Sequence, residues 1–275
     1  MRAPVSQAPA SPDSGAALAS WLWPAGLAVL SGGLLLLVAL PLAGLFFTAS
    51  PRQLLAGLAN PLVGPAVRVT LFTTTASLAL VVACGTPLAW AIARRRTPAW
   101  RVLETALELP VVLPPAVAGV ALLLAFGRRG LFGPTLAAAG IGLPFTRAAV
   151  ILAESFVAAP FYLQAAVAAF RRLDPDLVLV ARTLGASWSR VFFTVAIPLS
   201  RAGLAGGAAM SWARALGEFG ATLMFAGNME GRTQTLPLAI YAALESDLRT
   251  AQSLSIVLVA VAFALLVGVR AGARP

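Results

Sequence analysis

Two opposite charges stand four residues apart in an otherwise apolar run. They are Arg214 and Glu218, within Ala202–Met229. At that spacing they share one face of a helix. A lone charge at the centre of a bilayer costs about 2.5–3.5 kcal/mol on insertion scales, and a pair turned into a helix bundle costs less. Two roles fit such a pair: a neutralised couple that fixes the orientation of its helix, and a gate beside a pathway. Other reactive chemistry is scarce. The chain has no His, a single Cys at position 84, and twenty basic residues that are all Arg. A nucleophile activated by His or Lys is therefore excluded, as are an internal disulfide and a Cys/His metal site. Without Lys there is no Gly-x-x-x-x-Gly-Lys-Ser/Thr phosphate loop. Cys84 reads as a small packing residue. Glu154 is expected to balance Arg147 or an Arg of another loop. Glu104 and Glu108 are expected to balance the basic stretch Arg94–Arg101.

The elements that hold these residues are membrane helices. The chain is 59% hydrophobic and 11% charged, against about 25% charged in a soluble domain. A helix needs about 20 apolar residues to cross the hydrocarbon layer. Six stretches qualify: Ala25–Phe47, Val69–Ala93, Leu109–Phe126, Ala148–Phe170, Ala202–Met229 and Leu254–Val269. The fold class is all-α, a polytopic integral membrane protein with six transmembrane helices. Residues 1–22, rich in Ala, Pro and Ser, read as a disordered tail. Residues 25–47 read as a retained helix rather than a cleaved signal.

Arginine placement orients the spans. With both termini inside, twelve Arg fall on the inner side, Arg94, Arg95 and Arg96 forming the densest group. Seven fall outside, and Arg214 lies in the membrane. That bias places both termini in the cytoplasm. It also explains the net charge of +10 without nucleic acid. Gly206, Gly207, Ala208 and Ala209 allow close helix approach, and Gly32 and Gly33 do the same in the first span. In the third span Pro110, Pro114 and Pro115 each remove a helical hydrogen bond, so the helix should kink or break in its inner half.

The loop between the fourth and fifth spans, residues 173–198, is the most informative segment. Asp174-Pro175 opens a helix as N-cap and first residue. Leu177, Val180, Ala181 and Leu184 recur at helical spacing, and Gly185 ends the helix. A second short helix follows from Ser187 and carries Trp188, Val191 and Phe192; Pro198 opens the next span. Apolar residues of such an element must bury against lipid headgroups or a docked partner.

This loop resembles the cytoplasmic loop of type I ABC importer permeases: Glu-Ala-Ala, three residues, Gly, nine residues, Ile, one residue, Leu-Pro. Here Leu179-Val180-Ala181 takes the first position, then Gly185, and Val195-Ala196-Ile197-Pro198 closes the pattern. Leu179 departs from the usual Glu. Pro110–Gly119 with Phe126–Gly133 is similar to the third-span region of molybdate permeases. Ala213–Asn228 and Thr233–Tyr241 are similar to the fifth-span region of molybdate, tungstate and sulfate permeases. The likeness covers about residues 66–268, the expected transmembrane domain.

The resemblance implies a type I ABC importer permease in a bacterial or archaeal cell (inner) membrane. Two copies would form one pathway for molybdate or, alternatively, for tungstate or sulfate. A periplasmic or lipid-anchored binding protein would deliver the oxyanion. Two copies of a separate ATPase, using ATP and magnesium, would drive transport through a loop carrying Leu179, Val180, Ala181, Gly185, Ile197 and Pro198. The chain itself would bind no cofactor and catalyse no reaction. Pro114, Pro115, Ser211, Arg214 and Glu218 are the candidate pathway or gate residues; Arg214 could meet a divalent anion when Glu218 swings away. From another class, an ion-coupled secondary transporter would need a carboxylate in mid-membrane, for which Glu218 is the candidate. An integral membrane enzyme has too few acids and no His to build on.

Overall fold

A computed structural model describes residues 14–48, 50–95 and 97–272. Among them there are helices and turns and no strand. The chain divides into two units, residues 1–50 and 51–275.

Among its described residues the first unit holds one helix, α1 (Ser14–Phe47). Its apolar part, Gly26–Phe47, is 22 residues without a charge, about 33 Å at 1.5 Å per residue. That matches the hydrocarbon thickness. The helix begins at Ser14, inside the stretch expected to be a disordered tail (1–22); residues 1–13 lie outside the described residues.

The second unit is built on three long helices: α3 (Val63–Arg94), α7 (Arg147–Arg171) and α10 (Ile197–Leu216). Cross-helix bonds give the register. Thr73 bonds to Glu154, Ser77 to Ser155 and Thr86 to Tyr162, so α3 and α7 run parallel. Gly203 meets Ala169, Gly207 meets Ala165, and Ser211 bonds to Ala158, so α10 runs against α7. Apolar side chains of Val81, Ile92, Tyr162, Val167 and Phe170 fill the seam toward one end. A Cβ on Gly207 would lie 2.8 Å from that of Ala165, so a small residue is required there. Gly206 has open space around it; Gly203, not Gly206, is the second contact glycine.

Five described helices are long and apolar enough to cross a membrane, and a sixth crossing exists if one bent pair counts as a span. That pair is α4 (Pro98–Val112) and α5 (Pro115–Phe126), between which the chain bends by 118°. The expected third span, Leu109–Phe126, is therefore not one helix. Leu113 and Pro114 each precede a proline and are driven out of the helical region, with ψ of 132° and 139°. Pro115 then starts a new helix, where its missing N–H costs nothing.

The expected fifth span, Ala202–Met229, also breaks. Helix α10 stops at Leu216, and α11 (Gly220–Ala226) starts after Gly217-Glu218-Phe219. Two of the helices without a counterpart in the sequence reading pack against the longer helices. One is α2 (Pro51–Leu58), whose Gly57 lies against Ser253 of α13 (Leu248–Gly272). The other is α12 (Leu236–Leu244), whose Leu236, Leu238 and Ala239 are buried. The N-terminus of α12 is tied to α3: the Leu236 amide donates to the Thr70 hydroxyl at 2.7 Å. A short α6 (Gly133–Ala138) follows α5. Two short helices, α8 (Pro175–Thr183) and α9 (Trp188–Val191), lie between α7 and α10, and a π-helical turn, Phe192–Ala196, joins α9 to α10.

Candidate functional sites: a polar seam and a protruding loop

A set of buried polar residues lies where α3, α7 and α10 meet. Thr70, Thr73, Thr74 and Ser77 of α3 are all buried. Thr73 donates to Glu154 Oε1 at 2.8 Å, and the Trp212 indole donates to Thr74 at 3.0 Å. Glu154 is 1% exposed, and its Oε2 has no hydrogen-bond partner. The expected Glu154–Arg147 balance does not form. Arg147 instead donates to the carbonyls of Gly231 (2.8 Å) and Arg232 (3.3 Å). Burial on α7 turns Glu154 inward, toward α3 and within electrostatic reach of Glu218.

Arg214 and Glu218 do pair, Nη2 to Oε2 at 2.8 Å. The pair, however, straddles the break rather than lying on one continuous helix. The second oxygen of Glu218 accepts from the Ala221 amide at 2.9 Å, so one carboxylate caps α11 and holds the last turn of α10. The two partners differ in exposure: the Glu218 side chain is 1% accessible and that of Arg214 29%. Ser211 sits opposite Ala158, near the middle of α7, and Leu216 is five residues further along, about 8 Å. The break therefore lies inside the span.

The proline break and the α10–α11 break touch. A Cβ on Gly220 would lie 2.4 Å from the Pro115 Cβ, and one on Gly119 2.5 Å from the Met224 Cβ. Of the five candidate pathway residues, Pro115, Glu218 and Arg214 are thus drawn together, and Pro114 adjoins them in the chain. Ser211 is buried and its hydroxyl donates to the Ala158 carbonyl at 3.0 Å, which directs it into the α7 packing. Local sequence pattern carries no signal for the Glu154–Thr73 bond, because the partners are 81 positions apart.

The second site is the α8–α9 element. Asp174 caps α8 by accepting from the Asp176 amide, Ser187 caps α9 through the Arg190 amide, and Gly185 turns between them at φ +86°. Ile197 and Pro198 are the first two residues of α10. Leu177, Leu179, Val180 and Leu184 are exposed by 48–82%. The element lies at the C-terminal ends of α3 and α7. Arg94, the last residue of α3, stacks on Trp188 at 3.7 Å, and Arg182 of α8 lies 4.5 Å from the same ring centroid. Beside it Arg171, at the end of α7, holds Glu104 in a two-pronged pair at 2.7 and 2.9 Å. Glu104 is thus balanced by α7, not by the basic stretch Arg94–Arg101.

Comparison with known proteins gives the same outline. The family model of "Binding-protein-dependent transport system inner membrane component" matches residues 85–271. "Molybdenum transport system permease protein ModB" of Mycobacterium tuberculosis is 43% identical over 237 residues, 86% of this chain and 89% of that protein. "Probable transport system permease protein NifC" of Clostridium pasteurianum is 39% identical over 74% of this chain and 71% of its own. Among solved structures, a chain of a bacterial alginate ABC transporter superposes with a TM-score of 0.73 at 15% identity, covering 93% of this chain and 95% of that one. A chain of the inward-facing MetNI methionine ABC transporter superposes at 0.62 with 17% identity, covering 78% and 95%. At those identities the structural likeness speaks for the fold.

Proposed function

The chain belongs to the family of binding-protein-dependent transport system inner membrane components, and from that premise we propose that it is the membrane-spanning permease subunit of an ATP-driven molybdate importer. The observation that carries the proposal is the 43% identity to a molybdenum permease over 86% of the chain. The α8–Gly185–α9 element adds support, because it offers exposed apolar residues on the side where Arg94, Arg171 and Arg172 mark the helix ends.

Two copies of the chain form one pathway, with both termini in the cytoplasm. An oxyanion-binding protein delivers the anion from outside, and two copies of a separate ATPase sit beneath the α8 helices. ATP binding draws the ATPases together and, through Leu177, Val180 and Leu184, opens the path outward; hydrolysis resets it. Arg214 and Glu218 act in that cycle. While paired, Arg214 is neutralised. When the contacts around the break shift, a partly exposed guanidinium is available to a passing dianion. High affinity is not needed there, since the anion must leave. Tungstate or sulfate would be handled by the same chemistry and is the alternative cargo.

The test is uptake of radiolabelled molybdate into proteoliposomes holding this chain, its ATPase and its binding protein. Uptake that needs ATP and all three components is expected, with sulfate competing poorly. Uptake by the chain alone, driven by a proton or sodium gradient, would overturn the proposal.

A further inference from the structure

Among the described residues, the two cations on Trp188 have no counter-ion within 4.0 Å. Arg94 and Arg182 lie 3.7 and 4.5 Å from one indole ring. The described salt bridges use other residues, Arg171 with Glu104 and Arg214 with Glu218. Asp176 lines the same groove yet forms no ion pair within 4.0 Å among the described residues. Cation–π stacking attracts each Arg to the ring but removes no charge, and two like charges so close repel.

The groove they line has a volume of 680 Å³ and lies between α8 and the ends of α3 and α7. Its walls are Trp90, Phe170 and Leu179, with Trp188 and the two arginines at the rim. It lies at the level where membrane-spanning helices end, and so at the headgroup layer. Helix α8 thereby has two faces. Pro175, Val178, Leu179 and Arg182 face the groove, while Leu177, Val180 and Leu184 are exposed on the other side. Position 179, where the loop pattern calls for Glu, is on the groove face. With Leu there, position 179 supplies no anion, and Asp176 is the one carboxylate among the described lining residues.

We propose that this groove is a binding site for an anionic phospholipid, its phosphate between Arg94 and Arg182 and its chains along Trp90, Phe170 and Leu179. A basic pocket between helix ends backed by aromatic and apolar residues is the chemistry that holds such headgroups. The binding rests on the chain spanning a membrane; only the choice of the inner leaflet rests on the orientation proposed above.

The full chain is placed in nanodiscs of phosphatidylcholine with a minority of phosphatidylglycerol, and retained lipid is counted by native mass spectrometry. Two guanidinium contacts predict about thirtyfold enrichment of phosphatidylglycerol over its bulk share. Arg94→Gln/Arg182→Gln should return to the bulk ratio. Leu179→Glu should do the same while the fold is kept, because a carboxylate three residues before Arg182 neutralises the site from within. Arg190→Gln, an exposed loop arginine outside the groove, should behave as wild type. Equal enrichment in wild type and the double variant would overturn the proposal. So would displacement by millimolar inorganic phosphate, which marks a site for a free anion. Loss of the lipid on adding the ATPase subunit would overturn it too, showing that an acidic side chain of the partner fills the groove. None of these readouts uses transport, so their failure leaves the importer assignment untouched.

Discussion

Glu218 holds Arg214 at 2.8 Å across the point where α10 stops, and caps α11 with its other oxygen. A single carboxylate therefore joins two helix segments inside the span and neutralises the cation that would otherwise face the apolar phase. The pair is structural in the resting protein. Its unequal exposure makes the cation the reachable member, and the proposed gate role rests on that.

That inequality predicts which half is costlier to remove. Arg214→Ala leaves a buried, uncompensated carboxylate, a loss of about 3 kcal/mol. Glu218→Gln leaves a partly solvated guanidinium and keeps an acceptor for the Ala221 amide, so the loss should be about 1 kcal/mol. Thermal unfolding in detergent should rank Arg214→Ala below Glu218→Gln, with the double variant regaining part of the difference. Equal losses would mean that the pair does not carry its charge as drawn.

Helix contact at Gly207 makes a second ranking. Gly207→Leu drives a side chain into Ala165 and Tyr162, whereas Gly206→Leu enters open space. Overpacking costs about 1–3 kcal/mol, so Gly207→Leu should lower the unfolding temperature clearly and Gly206→Leu hardly at all. The reverse order would contradict the α7–α10 register.

At the touching breaks, Gly220→Val should push α11 from Pro115, since even a Cβ would meet the proline at 2.4 Å. Transport should fall at least about tenfold, as expected when a small misplacement disturbs a positioned site. ATP hydrolysis by the assembled importer should continue. Normal uptake in the variant would separate this contact from the pathway.

The turn between α8 and α9 yields the coupling prediction. Gly185 sits at φ +86°, which costs an L-residue about 1–2 kcal/mol. Gly185→Glu adds that strain and a charge to the docking face. ATPase activity of the complex should persist while molybdate uptake drops, measured side by side. Retention of uptake would count against α8–α9 as the transmitting element.

The sequence pattern carried the features that depend on neighbours in the chain. Apolar length located α1, α3, α7 and α13, and Asp174, Pro175, Gly185 and Ser187 marked α8 and α9, because caps and turns are written locally. Pro114 and Pro115 announced a break but not its 118°, which is set by the packing of α5 on α11 through Gly119 and Gly220. The stop at Leu216 was hidden because Gly217 alone is tolerated in membrane helices. The cap that completes the break comes from Glu218, which the sequence marked as a charge partner and gate candidate but not as a cap. Contacts between distant positions, Glu154 with Thr73 and Arg94 with Trp188, leave no trace in spacing at all.

The most direct test of the importer account is the side on which Leu184 lies. In a Cys84→Ser background, Leu184→Cys is probed in spheroplasts with a membrane-impermeant maleimide. Labelling is predicted only after permeabilisation, and it should fall when the ATPase subunit is co-expressed. Labelling of intact spheroplasts would place α8 outside the cell, where no ATP-driven partner could reach it.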